Sequence, residues 1–405
     1  MTMKPFLFSI SHGILIALLV GVTFSCDIKK SNSDPADAFT KIFDYGDMNL
    51  AFYPVDLKQT GDAGYLVLSV YTDTTLSTFP LIHLMKTDKL GNRIWEQWID
   101  KSYCSAIPSL LELGGNYYFI CMDAVNQQTR ILQIDLQNQS VDEVNALKAQ
   151  YPLYCMQDAN GDVLMLNFDR QARKSILTKF GSGFEEIWTS EFSIVGDVKH
   201  QIELHLSKTG QQFPFFIGEA GTPSISSYYV NCFYNYTMTM LFVGAAAGNQ
   251  TGTLYTYQDN AGVSSAVSIE NNRFALTRYY SGANYVNPSV ELDLTATQSV
   301  TDYTDFALQE LSPDAPVRCL HAEINGKDVI VFGSQTRTNQ LALYFYDAGD
   351  GSLKHVKFLN EKYPITLNDM EYTQEKGLAL LVQTYVIGRF PRINLVKLSP
   401  QDLKY

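Results

Sequence analysis

The sequence predicts an all-β fold: a seven-bladed β-propeller of four-stranded antiparallel blades, its ring closed by the N-terminal strand. Three observations lead there. Aromatic residues make up 13% of the 405, with 25 Tyr and 23 Phe, and such side chains suit pleated, half-buried surfaces. A Gly- or Asn-containing turn followed by a short apolar strand recurs along the chain. No long segment with a 3.6-residue apolar period interrupts the series.

The turns are Gly61–Gly64, Gly114–Asn116, Asn160–Asp162, Thr209–Gln211, Asn271–Arg273, Asn325–Lys327 and Glu375–Gly377. They offer residues that tolerate positive φ, as tight hairpins require. The strands that follow are Tyr65–Val70, Tyr117–Met122, Val163–Phe168, Phe213–Gly218, Phe274–Tyr279, Asp328–Gly333 and Leu378–Gln383. Markers from Gly61 to Lys376 are spaced by 54, 46, 49, 62, 54 and 50 residues. In the first unit Leu81–Thr87 and Arg93–Asp100 supply third and fourth strands around a turn at Asp88–Asn92. The third unit repeats this with Ser175–Phe180 and Glu185–Phe192, and the sixth with Leu341–Tyr346 and Ser352–Leu359. Four strands in about 50 residues is the arithmetic of a propeller blade.

The last unit ends after its third strand, Arg392–Leu398, whereas Ala38–Tyr45 is a spare strand at the other end. Pairing of the two closes the ring. The fourth unit is the least regular. Its spacing stretches to 62, Tyr228–Leu241 reads by alternation as one strand, and its fourth strand has no clear candidate.

Lys and Arg total 30 against 42 Asp and Glu, a net charge of −12. That argues against sequence-independent nucleic-acid binding and against charge-driven adhesion to anionic lipid. Residues 1–25 carry one basic residue, Lys4, an apolar stretch centred on Ile14–Val22, and Ser25 before Cys26. This reads as a secretory signal. Residues 26–37 are polar and read as a flexible tether, leaving residues 38–405 for the propeller. Cys104, Cys121, Cys155, Cys232 and Cys319 lie in or beside apolar runs and read as small buried hydrophobes.

Val22-Thr23-Phe24-Ser25-Cys26 resembles a bacterial lipobox, which implies acylation of Cys26 and a lipid anchor. Lys58–Leu68, then Leu84–Glu96 with its Lys86-Thr87-Asp88 turn and Trp95, resembles the blade repeat of secreted Bacteroidota-type β-propeller lipoproteins. The resemblance implies the fold and a cell-envelope setting, with outer-membrane anchoring. It implies no reaction. Asp73-Thr74-Thr75 resembles a short O-glycosylation acceptor of Bacteroides-type envelopes.

Catalytic motifs such as HExxH, GxSxG, a Walker loop or GxGxxG are missing from the sequence. His200 and His205, read on a strand, point to opposite faces and make a poor metal pair. Asp158–Asp162 has the look of a calcium-loop fragment but occupies the slot of a hairpin turn and lacks the distal Glu. No metal or cofactor is expected. Loops joining second and third strands share one face with the connections between blades, and loops on a rigid frame are where binding commonly resides. They carry Arg170, Arg278, Tyr279, Tyr280, Tyr285, Arg337, Tyr385 and Arg389. All but Arg170 are the candidate ligand-binding set, since aromatics and Arg bind sugars, peptides or carboxylates by stacking and paired hydrogen bonds. The expectation is a binding or scaffold module for an envelope protein or a glycan. The alternative is a carbohydrate-active hydrolase or lyase.

Overall fold

A computed structural model describes residues 37–45, 50–72, 79–208, 212–222, 225–256, 261–313, 315–359, 363–386, 388 and 390–404. Cys26, the Asp73-Thr74-Thr75 triplet, the Thr209–Gln211 turn and Arg389 lie outside them. The chain divides into two units after Asp34, and the propeller belongs to the unit from Pro35 onward. Among the described residues no helix is long and apolar enough to cross a membrane.

Seven antiparallel sheets are arranged as a seven-bladed propeller. Their innermost strands are Ala51–Gln59 in blade 1, Leu111–Leu113 in blade 2, Pro152–Gln157 in blade 3 and Phe216–Thr222 in blade 4. Blades 5, 6 and 7 contribute Ala261–Glu270, Arg318–Ile324 and Ile365–Tyr372. Blade 2 is unusual in splitting its inner edge, with Tyr103–Cys104 pairing further along the same neighbour. Middle strands are buried on both faces, as in Tyr65–Thr72 and Leu378–Thr384. Neighbouring blades cover both sides, so these strands read as continuous apolar runs rather than alternating ones.

Phe39–Phe43 pairs antiparallel with Arg392–Leu398, from Phe39 opposite Lys397 to Phe43 opposite Ile393. The N-terminal strand is therefore the outer strand of blade 7. Phe43 packs with Phe52, Leu57 and Tyr65 of blade 1 and with Leu381 and Ile393 of blade 7. The closing seam is thus an apolar core as well as a hydrogen-bonded ladder.

Blade 4 corrects the sequence reading. Phe216–Thr222 is its innermost strand, not the second. The single strand expected over Tyr228–Leu241 is two, Ile225–Tyr234 and Thr237–Gly244, paired with each other. Asn235 turns the chain between them at φ 52°. A two-residue turn leaves the alternation of both flanking strands intact, so periodicity alone cannot see it. The fourth strand is Gln250–Tyr255, flanked in turn by a short parallel strand, Thr297–Ser299. The connection into this blade, between the strands Glu186–Ser193 and Phe216–Thr222, holds a nine-residue helix, Lys199–Ser207. His200 and His205 stand on this helix, not on a strand. Five residues is about 140° beyond a full turn, so they still diverge: His205 is buried and His200 exposed.

Candidate functional site

The inner strands enclose a channel of about 1040 Å³. Four of them, in blades 1, 3, 5 and 7, carry a register shift, at the start of the strand in blade 3 and further along in the others. An extra residue in an inner strand bends it and re-aims its side chains. In blades 1 and 7 the shift falls immediately before Asp56 and Asp369.

These two carboxyls meet. Asp56 Oδ2 accepts the N–H groups of Ser109 and Leu110, at 2.5 and 2.6 Å, on the broken inner edge of blade 2. Asp369 Oδ2 accepts the N–H of Leu57 at 3.1 Å. The two side chains also hydrogen-bond to each other, and burial followed by the charge of Asp369 holds Asp56 protonated well above the usual carboxylate range. The pair stitches blades 7, 1 and 2 together. Asn368 adds a bond from its amide nitrogen to Pro54 O at 3.1 Å.

Charge is distributed along the channel. Toward the hairpin end lie Glu371, Glu112 and Lys58. Glu371 accepts the N–H of Gln59 at 2.7 Å and lies 3.8 Å from Lys58. Burial outweighs that lysine and pushes the Glu371 carboxyl up to about 7. Toward the end where chains cross between blades lie Arg318, at the start of its strand, and His205 and Lys208, which end the helix. Burial, then the neighbouring Arg318, pulls the Lys208 ammonium down to about 8. Tyr154 stands between the two regions and feels both the Asp56–Asp369 pair and Arg318.

Three polar atoms of residues lining this channel are buried without a hydrogen-bond partner: Arg318 Nε, His205 Nε2 and Asn368 Oδ1. Buried polar groups are ordinarily paired, because leaving one unmade costs about 1–3 kcal/mol.

The residues singled out in the sequence divide three ways. Tyr279 and Tyr385 line the channel. Gln383 Nε2 donates to the Tyr385 hydroxyl at 2.6 Å. Arg278 is engaged within the blade: it pairs with Asp305 and lies 4.3 Å from the centroid of the Tyr285 ring. Tyr280 and Arg337 sit away from the channel, with Arg337 donating to Leu311 O at 3.2 Å. The loop residues therefore do not form one site. Apart from Tyr279 and Tyr385, most of the channel's charged and polar residues come from the inner strands and the blade 3–4 connection, where loop-based reasoning does not look.

Two constellations resemble chemistry and are structural. Ser69 Oγ lies 3.1 Å from His83 Nδ1, and His83 Nε2 lies 3.2 Å from Glu96, in the manner of a hydrolase triad. Ser69 and His83 have 0% exposure, and Phe52 and Trp98 crowd the imidazole. Substrate has no path to this serine, and burial holds His83 neutral. The Asp158–Asp162 turn encloses a lysine: Lys179 Nζ lies 3.1 Å from Asp158 and 2.8 Å from Asp162. An ammonium occupies the place a cation would take.

Solved structures share the architecture. The β-propeller domain of the Trilobed protease from Pyrococcus furiosus is 12% identical, with 86% of this chain and 95% of that one covered and a TM-score of 0.45. A protein from Lactobacillus plantarum is 14% identical, with 80% and 92% covered and a TM-score of 0.48. The AfRom2 CNH domain is 8% identical, with 88% and 98% covered and a TM-score of 0.48. At such identities the likeness is one of fold, and none of these proteins bears on what this channel holds. No protein-family model matches the chain, and no curated protein matches it.

Proposed function

We propose that the chain is a binding module of the cell envelope, held to the outer membrane by a lipid on Cys26, that takes a glycan-sized polar ligand into its channel. The observation that carries the ligand half is the trio of unpartnered buried polar atoms, Arg318 Nε, His205 Nε2 and Asn368 Oδ1, on the walls of an open 1040 Å³ channel. Concave sites with a few convergent polar groups are the usual form of small-molecule sites. Tyr53, Tyr154, Tyr279 and Tyr385 on the walls offer ring faces and hydroxyls suited to sugars. The anchor half is supported by the lipobox-like run that ends at Cys26.

A hydrolase reading has one observation in its favour, the Glu371 carboxyl lifted to about 7, a value fit for a general acid. The companion of that carboxyl at the hairpin end, Glu112, adds to the rise by like charge, and no separated acid and base pair is assembled from Asp56 and Asp369. Glycosidase pairs stand about 5–10 Å apart with room for water or sugar between. Asp56 and Asp369 instead bond to one another and to backbone N–H groups. Binding is accordingly preferred over turnover.

Glycan-array binding by the propeller tests the ligand half, repeated with Tyr154→Ala to strip one ring from the channel wall. Binding by the native protein that the Ala variant weakens supports the reading. No binding on the array, or binding that the Ala variant leaves unchanged, refutes it. Fatty-acid labelling of the full chain, lost in Cys26→Ser, tests the anchor; labelling unchanged by that substitution refutes it.

A further inference from the structure

We infer that the Arg318 end of the channel is a subsite for a carboxylate, so that the ligand is an acidic sugar rather than a neutral one. This rests on the reading that the channel holds a ligand, and it specifies the chemical class.

The argument begins with donors. His205 Nδ1 accepts the backbone N–H of Phe213 at 3.0 Å. In the neutral imidazole the proton is then on Nε2, which is a donor. That atom is buried and has no acceptor. Arg318 Nε is a donor by nature, buried and likewise without an acceptor. Lys208 supplies three more N–H bonds and can accept none. Each of the three groups lines the channel, and the charges of Arg318 and Lys208 act on one another and on His205. Among the described residues, neither cation forms an ion pair.

Arg318 and Lys208 are half-buried, and they contrast with the cations that are wholly buried. Lys86, Lys179, Lys397 and Arg392 each have a carboxylate partner within 3.2 Å. With four buried cations paired internally, and Arg318 and Lys208 together without a counter-charge among the described residues, this end of the channel is complementary to an anion. Uncompensated charge partly withdrawn from water is costly, and a bound anion offsets the cost.

The form of the anion follows from the surroundings. A guanidinium matches a carboxylate through two parallel bonds, while His205 and Lys208 meet its remaining lone pairs. The rest of the channel bears Asp56, Asp369, Glu371 and Glu112, and the whole chain carries −12. A single negative charge is tolerated there better than a dianion. The Gln157 amide lines the remaining wall and suits a sugar's hydroxyls.

The experiment is calorimetric titration of the propeller with cellobiuronic acid and with cellobiose, which differ by one carboxylate. The acid is expected to bind about tenfold or more tightly than the neutral sugar. Arg318→Gln and Lys208→Met should each remove that preference. Without ligand, Arg318→Gln should melt at or above the native temperature, because it deletes an uncompensated charge. Equal binding of the two sugars, or a preference that survives Arg318→Gln, overturns the carboxylate subsite but leaves a ligand-holding channel. Binding of neither sugar overturns the subsite, and weakening by Tyr154→Ala of any array signal then decides separately whether the channel holds a ligand. A fall in melting temperature in Arg318→Gln shows that the arginine is structural and also overturns the proposal.

Discussion

Replacing Lys179 by Met should destabilise the propeller by about 3 kcal/mol. The ammonium is 9% exposed and sits between Asp158 Oδ2 at 3.1 Å and Asp162 Oδ2 at 2.8 Å, with the Tyr228 hydroxyl at 2.9 Å. The Asp158 side chain is itself fully buried. Breaking one side of a buried pair costs about 3–5 kcal/mol, because the remaining charge stays unpaired. The lower end applies here. Asp158 retains the Asn160 and Asp162 N–H groups, each at 2.9 Å, and the Tyr228 hydroxyl at 2.6 Å. Methionine fills a similar volume, so no cavity adds to the loss. Denaturant unfolding followed by tryptophan fluorescence reads the change, since Trp188 lies 6.2 Å from Tyr228.

The pH dependence gives an independent check. In the native protein the bonds from Tyr228 and Lys179 hold the Asp158 carboxyl below its ordinary value, although burial opposes them. A depressed carboxylate stabilises the fold above its unfolded pKa, and that stability is lost as pH falls through the folded value. The gap between native and variant should therefore narrow in acid, below pH of about 4. Asp158→Asn placed on top of Lys179→Met should recover part of the loss at neutral pH. A cost below about 1 kcal/mol, or one that stays constant from neutral pH into acid, would refute the reasoning.

Glu371→Gln should flatten the stability profile between pH 4.5 and about 7. A carboxyl whose folded value is about 7 against 4.5 unfolded gives stability that is complete below the unfolded value and lost as pH rises through 7. Native protein should lose about 3 kcal/mol across that window and the variant should not; parallel profiles would contradict this. Asp56→Asn should act in the same sense, because Asp56 is also held protonated, and its oxygen still accepts from Ser109 and Leu110. Phe43→Ala should cost about 3 kcal/mol through loss of the seam between blades 1 and 7, measured by denaturant midpoint; a loss confined to fraying of the N-terminal strand would contradict closure. Ser69→Ala should lower stability by about 1 kcal/mol and leave any sugar binding unchanged; abolished binding would show the Ser69–His83–Glu96 chain to be functional.

Most of the fold was legible because its turns are chemical. Six of the seven turn-and-strand pairs fall where the sequence places them, and the spare N-terminal strand pairs as its pattern implies. Blade 4 was not legible. Its helix, Lys199–Ser207, buries only Ile202, His205 and Leu206, too few apolar positions to show a helical period. The site was harder, for a physical reason. Inner strands face a wet channel on one side, so they lose the apolar run that marks a strand, and their polar residues pass for loop composition. One signal was present. Asp56, Tyr154 and Asp369 each stand four residues before Thr60, Asp158 and Thr373, and each of those residues donates its N–H across a turn to a residue four positions on. The same register places Lys86, Lys179 and Lys397 on third strands, pairing back to an acid in the turn. Aligning the turns rather than the strands would have found both sets. Arg318 and Lys208 have no such repeat, since each is single in the ring, and only their meeting in space reveals them.

The most direct test of the account is a crystal structure of the propeller soaked with cellobiuronic acid. The account predicts the sugar within the channel, its carboxylate at hydrogen-bond distance, about 3 Å, from Arg318, His205 and Lys208. A sugar bound instead on the outer rim at Tyr280 and Arg337, or seated in the channel with its carboxylate turned toward Glu371, would contradict it.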